Sequence, residues 1–404
     1  MKIKINRQKV ISFAIAYMVS FLGLLNCVNA ITNEIGINTA MDTFFMYMLL
    51  WGLALFVWLD SINKRNLKKD VLFITILLIL LHMWTLLFFQ ENTKYILAST
   101  YTFSNSPLLV LFVYSFSGYV AVRSLNNYQY LLKYLKIFSY VIIIMSSIVF
   151  WGIEDSFAKQ YMTLSYNMLL QVSYLIIFKP KEKKLLNVII IGMGISIIVI
   201  GGARGALLGL IVVILFEILG IDKVGISLKK IFALSTLMVI GSVFYMYYEQ
   251  ILLMLIKVIA KLELKSRTLE LLLYSEGDVS SGRVELLSEL FENINLIGHG
   301  LYGDRVILNG IYAHNLFVDW IVDFGLFIGI VLSVLCIVLL ILGFLKGDNI
   351  SRKIIIVFIP NGIVSLMLSG SYLGQQPAFY VLLGVCVNQL FLVRKQSNNY
   401  LRQM

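Results

Sequence analysis

Apolar segments long enough to cross a bilayer recur along almost the whole chain, separated by short polar breaks. About 20 apolar residues span the hydrocarbon core as a helix, so this recurrence predicts a polytopic, all-α membrane protein. Spans are expected near 10–28, 43–59, 71–89, 107–122, 137–152, 162–178, 188–202, 205–220, 231–248, 321–345, 354–369 and 378–393, about twelve in all. The first run is long, lacks a small-residue cleavage site and is followed by further spans. It is expected to be a retained helix and not a signal peptide. Residues 1–404 therefore read as a single polytopic membrane domain, with 249–313 as one large extracytoplasmic loop inserted between spans nine and ten.

Composition removes the other classes. Hydrophobic residues make up 59% of the chain and charged residues 14%, with a mean hydropathy of +0.88. Soluble domains carry roughly 45–50% and about 25% respectively, and a water-facing surface needs those missing charges. A soluble enzyme, a disordered chain and a nucleic-acid-binding module are excluded. The three cysteines, Cys27, Cys336 and Cys386, lie far apart in apolar runs and read as small core residues.

The net charge of +11 is a topology signal. Span parity divides the loops into two alternating sets, and one set holds 24 of the 33 lysines and arginines. The positive-inside rule places that set, with both termini, in the cytoplasm and the large loop outside. Sixteen of the 22 acidic residues fall on or just within the outer side. Within the loop, RVELLSELFENI sets Val284, Leu287, Phe291 and Ile294 on one helical stripe, opposite Glu285, Ser288, Glu292 and Asn295. A glycine-rich turn, Gly298–Asp304, follows.

Few residues have the character and place for chemistry. Arg204 sits between small residues, Gly201-Gly202-Ala203-Arg204-Gly205-Ala206, at the outer boundary of two spans. Its planar fork suits a phosphate; the same placement also suits a snorkelling arginine at a span end. Arg283 opens the loop helix, where a cation opposes the helix dipole. That small cost makes sense if Arg283 and the helix N-terminus hold an anion together, and a solvated surface arginine is the other reading. His314 lies where the outer loop meets the membrane, and a neutral imidazole there is suited to take a proton from a sugar hydroxyl. Activity is then expected to rise with pH through the imidazole pKa. His299 lies in the glycine turn and His82 in mid-span, where a packing role is expected. Asp319 and Asp323, four apart, share a helix face, to orient substrate or to mark the interface. Arg305, His299 and Asn315 complete the expected substrate-binding set. No zinc motif, P-loop, GxSxG or acidic metal pair is present in the sequence, so no cofactor is expected.

These pieces together resemble the O-antigen polymerase and ligase superfamily, which includes the Wzy-type polymerases. Three motifs carry the resemblance: GGARGALLGL from Gly201, SGRVELLSELFENINLIGHGLYG from Ser281, and HNLFVDWIVDFGLFIG from His314. It covers roughly 188–345 by motif and the remainder by hydropathy alone. Ala203 departs from it, since serine is common there in the family.

The resemblance implies a C-type membrane glycosyltransferase fold and a polysaccharide polymerase of capsule, exopolysaccharide or O-antigen. Glycan would pass from an undecaprenyl-pyrophosphate-linked donor to a lipid-linked acceptor on the outer face of the bacterial cytoplasmic membrane. By resemblance, Arg204 and Arg283 match the arginines on the lipid pyrophosphate and His314 the proposed base. A chain-length regulator and a flippase are the implied partners, and no nucleic acid is. Ligase-like transfer to another acceptor, a lipid-linked oligosaccharide flippase or transporter, and a scaffold subunit are the competing readings. Transporters place ionisable residues deep in several spans, whereas these spans are nearly free of charge. The topology predicts that reporter fusions after Lys184 and Lys230 report cytoplasm and a fusion at Ser280 reports the outside. A cytoplasmic signal at Ser280 overturns both the topology and the site assignment.

Overall fold

A computed structural model describes residues 6–36, 39–96, 110–152, 161–180, 184–201, 203–220, 253–254, 256–257 and 282–403. The described residues form helices and connecting turns, without a strand among them. We number the helices α1 (Arg7–Glu34), α2 (Thr39–Ile62), α3 (Arg65–Phe88), α4 (Ser117–Arg123), α5 (Gln129–Gly152), α6 (Tyr161–Phe178), α7 (Lys184–Ile200) and α8 (Arg204–Leu219). After the large loop come α9 (Arg283–Glu292), α10 (Gly303–Ile307), α11 (Leu316–Phe324), α12 (Leu326–Lys346), α13 (Asn349–Ile359), α14 (Ser365–Leu368) and α15 (Pro377–Gln403). Short helical turns cover Gln90–Asn92 and Thr93–Ile96.

Six helical segments among the described residues are long and apolar enough to cross a membrane: Arg7–Glu34, Thr39–Ile62, Leu67–Phe88, Gln129–Gly152, Leu326–Lys346 and Asn349–Leu368. Met162–Phe178, Lys184–Ile200 and Pro377–Phe391 are shorter apolar helices. The expected span 107–122 is a π-helical turn, Val110–Phe116, running into α4. The expected span 205–220 is α8, and 231–248 lies outside the described residues. Pro360, which cannot donate to the helix ladder, begins a π-helical turn between α13 and α14.

The chain divides into two compact units. The first comprises Met1–Phe21, Asn38–Leu135 and Gly282–Met404. One of its ends is polar and basic. Arg7 and Lys64 pair with the buried Asp60 there, and Lys64 and Gln8 donate to the Ser124 carbonyl at 2.8 and 3.2 Å. Arg123 bridges Asp70 at 2.7 Å and Asn388 at 2.6 Å. The loops nearest 7, 60–70 and 123–126 and the C-terminal helix thus gather in one place. At another place the 89–96, 296–315 and 369–376 segments meet. Asn92 donates to the carbonyls of His299 (2.7 Å) and Leu301 (2.8 Å), Thr85 Oγ1 accepts from Leu301 N–H, and Tyr312 donates to Ser369 at 2.8 Å. Beneath lies an aromatic core that includes Tyr302, Trp320, Phe324, Tyr372, Phe379 and Tyr380.

The second unit comprises Leu22–Ile37 and Lys136–Ser281. Gly194 of α7 packs so closely on α6 that an added Cβ would fall 2.4 Å from Val172. Polar pairs tie its helices together: Ser139 donates to Gln171 at 3.0 Å, Cys27 meets Ser146 at 3.1 Å, and Lys179 pairs with Glu217. All three cysteines are free and buried.

The expected tenth span, 321–345, is α12, and the apolar run before it from His314 folds separately as α11. The crossing segment begins at Leu326. Gly325 breaks the run at φ +83°, ψ 165°, a region essentially open to glycine alone. Residues 295–303 lie against this break, and a Cβ on Gly325 would fall 2.2 Å from the Leu296 carbonyl oxygen. Gly325→Ala is therefore expected to destabilise the protein by at least about 1–3 kcal/mol, read as a lowered melting temperature in detergent. Gly192→Ala, whose Cβ would meet nothing within 4 Å inside α7, is expected to keep or slightly raise the melting temperature. Equal melting temperatures for the two variants would contradict this account of the break.

Candidate functional site

The site is built on the strap that crosses the α11–α12 break. Helix ends leave carbonyls and N–H groups without intrahelical partners, and the strap supplies them. His299 N–H donates to Val322 O at 2.8 Å, Gly300 N–H to Asp323 O at 3.0 Å, and Leu326 N–H to Asn295 O at 3.0 Å. Gly298 meets Gly325 backbone to backbone, since a Cβ on Gly298 would lie 2.4 Å from Gly325 N. The glycine turn expected from Gly298–Asp304 is thus a docking element.

α9 packs on the same region through a different face from the expected one. Leu286, Leu287 and Leu290 turn inward against Leu308, Ala313, Val318 and Val322, while Val284 and Phe291 are 63% and 55% exposed. The stripe chosen from the sequence is therefore rotated, because the surface offered by α11 and the 308–313 turn selects the inward face. Arg283, Leu287 and Leu290 stand at i, i+4 and i+7 on one face, so the arginine at the first turn is carried toward the 312–314 segment. Its charge acts on both Tyr312 and His314.

His314 follows the buried Ala313 with φ +54°, a left-handed conformation in which a non-glycine residue is held only by its surroundings. Its ring lies 4.0 Å from the Tyr312 ring, centroid to centroid, and Nδ1 is buried without a hydrogen-bond partner. Burial, and secondly the Arg283 charge, push its pKa down to about 4. Arg305 stacks over the Tyr302 ring at 4.5 Å, and its charge also acts on Tyr312. Tyr302 at φ +64° and Asn309 at φ +52° add two more left-handed non-glycine residues to this short stretch.

Behind the cations lie three buried carboxyls, Asp304, Asp319 and Asp323. Burial raises the pKa of all three; Asp319 and Asp323 are raised furthest because each also faces Asp304. Asp323 accepts from Gly303 N–H at 3.0 Å and from the Tyr372 hydroxyl at 2.6 Å.

The structure brings some of the expected residues together and not others. The structure brings Arg283, Arg305 and His314 into one electrostatic neighbourhood. Asn315 caps α11, its side chain accepting from the N–H groups of Phe317 (3.1 Å) and Val318 (3.3 Å). His299 is engaged within its own loop, Nε2 lying 2.7 Å from Asn293 O and 3.1 Å from Asn295 Nδ2. Arg204 belongs to the second unit, at the first residue of α8 with Ala203 as its N-cap. His82 is buried in α3, with Nδ1 at 2.8 Å from Leu78 O. Asp319 and Asp323 share a helix face as their spacing predicts, but that face is interior. Tyr302, Asp304, Tyr312 and Tyr372 were not identified from the sequence; only the glycine turn beside Asp304 pointed toward them. No metal-holding group of three acidic, histidine or cysteine side chains occurs among the described residues. No protein family, no curated protein and no solved structure matches the chain.

The low pKa of His314 moves the pH dependence expected from the sequence. The folded ring holds its proton more weakly, with a pKa of about 4 against the ordinary 6.5. As pH falls from 6.5 toward 4, the unfolded chain binds the proton first, so stability is lost across that window and is fully present above it. His314→Gln should flatten this part of the melting-temperature profile relative to wild type. Identical profiles would remove the buried, neutral ring from the account.

Proposed function

We propose that the protein is a metal-independent polysaccharide polymerase of the outer face of a bacterial cytoplasmic membrane. In this reading it has about twelve spans, cytoplasmic termini and the C-type glycosyltransferase fold. Its donor is an undecaprenyl-pyrophosphate-linked glycan and its acceptor a lipid-linked repeat unit. The observation that carries the reading is the convergence of Arg283 and Arg305 on the turn that bears His314.

The chemistry follows from that arrangement. A lipid pyrophosphate leaving group gains negative charge as the glycosidic bond breaks, and preorganised guanidinium groups stabilise charge that develops in the transition state. Arg283 and Arg305 are assigned to it from this region; Arg204 is assigned by the resemblance alone. His314 is assigned as the base on the acceptor hydroxyl. A ring with a pKa near 4 is fully neutral at physiological pH, as a proton acceptor must be, but it is a weak base. A bound pyrophosphate would neutralise Arg283 and so remove the smaller of the two causes that depress the ring. Donor binding would thereby strengthen the base that acts beside it.

The test is chain elongation from purified lipid-linked repeat units at matched protein levels. Arg283→Lys keeps the charge and loses the fork, so activity should fall about 10- to 100-fold, the worth of one charge-assisted hydrogen bond. His314→Ala should keep donor binding and lose about 10²–10⁴-fold in rate, with His299→Ala and His82→Ala milder. Normal elongation by His314→Ala beside an inactive His299→Ala would move the base to the other histidine. Full activity in all of them, Arg283→Lys included, would sink the assignment.

A further inference from the structure

A cavity of the first unit shares no lining residue with the His314 site. It measures about 490 Å³ and opens between α2 and α3, lined by Trp58, Lys68, Val71, Leu72, Thr75 and Val113. Lys68, Val71, Leu72 and Thr75 stand at i, i+3, i+4 and i+7, on one face of α3. The walls are apolar, and the polar groups of Thr75 and Trp58 are already spent. Thr75 Oγ1 donates to Val71 O and Trp58 Nε1 to Ser117 Oγ, each at 2.8 Å. That leaves the Lys68 ammonium. Lys68 is exposed, and the carboxylates beside it are taken: Asp60 pairs with Arg7 and Lys64, and Asp70 with Arg123 at 2.7 Å. A second cavity, about 1070 Å³, shares Trp58 and Val113 and follows α2 away from the basic end, past Trp51 and Met48 to Phe44. From Trp58 to Phe44 is about 21 Å of helix, more than the roughly 15 Å half-thickness of the hydrocarbon core. Both α2 and α3 are long and apolar enough to cross a membrane, so bilayer lipid is what meets this groove.

We propose that the α2–α3 groove binds one anionic phospholipid of the surrounding bilayer, its phosphate on the Lys68 ammonium and one acyl chain against Trp58 and Val113. Charge complementarity selects this occupant. Any acyl chain satisfies the apolar walls, but the cation at the mouth distinguishes between headgroups. A zwitterionic headgroup brings a cation of its own to Lys68, whereas an anionic one supplies the charge that Asp60 and Asp70 do not. Basic pockets between membrane helices recognise anionic headgroups in this way. The lysine stem lies along apolar surface while its ammonium reaches headgroup level, and Trp58 stands near the same end of α2, where aromatic rings sit at the membrane interface. The lipid thereby joins α2 to α3 across the space that their side chains leave open.

The test reads binding by the full chain in detergent and is independent of any activity. Native mass spectrometry, during titration with phosphatidylglycerol or phosphatidylcholine, resolves the lipids retained one by one. The first phosphatidylglycerol should bind about fivefold tighter than the first phosphatidylcholine, the worth of one lysine near a headgroup. Lys68→Gln should remove that preference. Lys69→Gln deletes the same charge one residue along, on a different face of α3, and should keep it. Thr75→Trp fills the groove and should abolish retention of the first lipid of either kind. Lys68→Gln alters only an exposed side chain, so it reports on the site even if the bulkier variant fails to fold. Equal affinity of the wild type for the two lipids overturns the proposal. So does an equal loss of preference in Lys68→Gln and Lys69→Gln, which marks a general attraction to the basic end. A Thr75→Trp variant that retains phosphatidylglycerol as the wild type does also overturns it. A lipid-free wild-type dimer that Thr75→Trp dissociates would overturn it by giving the groove to a second copy of the chain.

Discussion

The arrangement of the candidate site depends on how one helix break is satisfied. Between α11 and α12 the chain turns at Gly325, and the break exposes carbonyls at the end of one helix and an N–H at the start of the next. Such groups are costly to bury unpaired. The 295–303 strap pairs them with its own backbone, which requires contact closer than any side chain permits. Glycines at 298 and 325 meet that requirement. Once the strap is seated, Gly303 donates to Asp323, α10 follows, and Asp304 reaches the N–H of Ala313. The position of His314 is a downstream consequence of that contact.

The electrostatics around His314 follow from the same packing. Arg283 is directed inward because Leu287 and Leu290 on its face seal α9 against Ala313 and Val318. Arg305 is held over Tyr302, whose ring belongs to the aromatic core. The cations stand near the turn and the carboxyls are buried beneath it, where charges act more strongly than at a surface. The result is a histidine whose pKa is depressed by burial and by the Arg283 charge. Three left-handed non-glycine residues within 302–314 mark where packing overrides backbone preference. Such strain gathers at functional sites.

Much was legible in the sequence, because hydropathy and charge act locally. The recurrence of apolar runs identified the membrane class, and the helices at 7–34, 39–62 and 129–152 follow it directly. The i, i+4 spacing of Asp319 and Asp323 was enough to put them on one face, Arg283 stood out because it opens the loop helix, and His314 because it lies where the loop meets the membrane. The residue at which the apolar run from His314 breaks was less legible. Gly325 is one of several glycines there, and only the Leu296 carbonyl lying against it explains why the helix stops at that residue.

The sequence by itself determined the class of protein, the places where charge is concentrated and the short list of residues with chemical potential, since these depend on residue type and near-neighbour spacing. Only the tertiary structure decided which face of α9 is buried, that Asp304 reaches Ala313, that His299 serves its own loop and that the His314 ring is neutral. Each of those outcomes rests on contacts between residues far apart in the chain or on the burial those contacts create. The Tyr372 hydroxyl bonded to Asp323, 49 residues away, is one such contact. Periodicity along the chain carries no record of which distant surface a side chain will meet, and burial sets the cost of charge once that surface is in place.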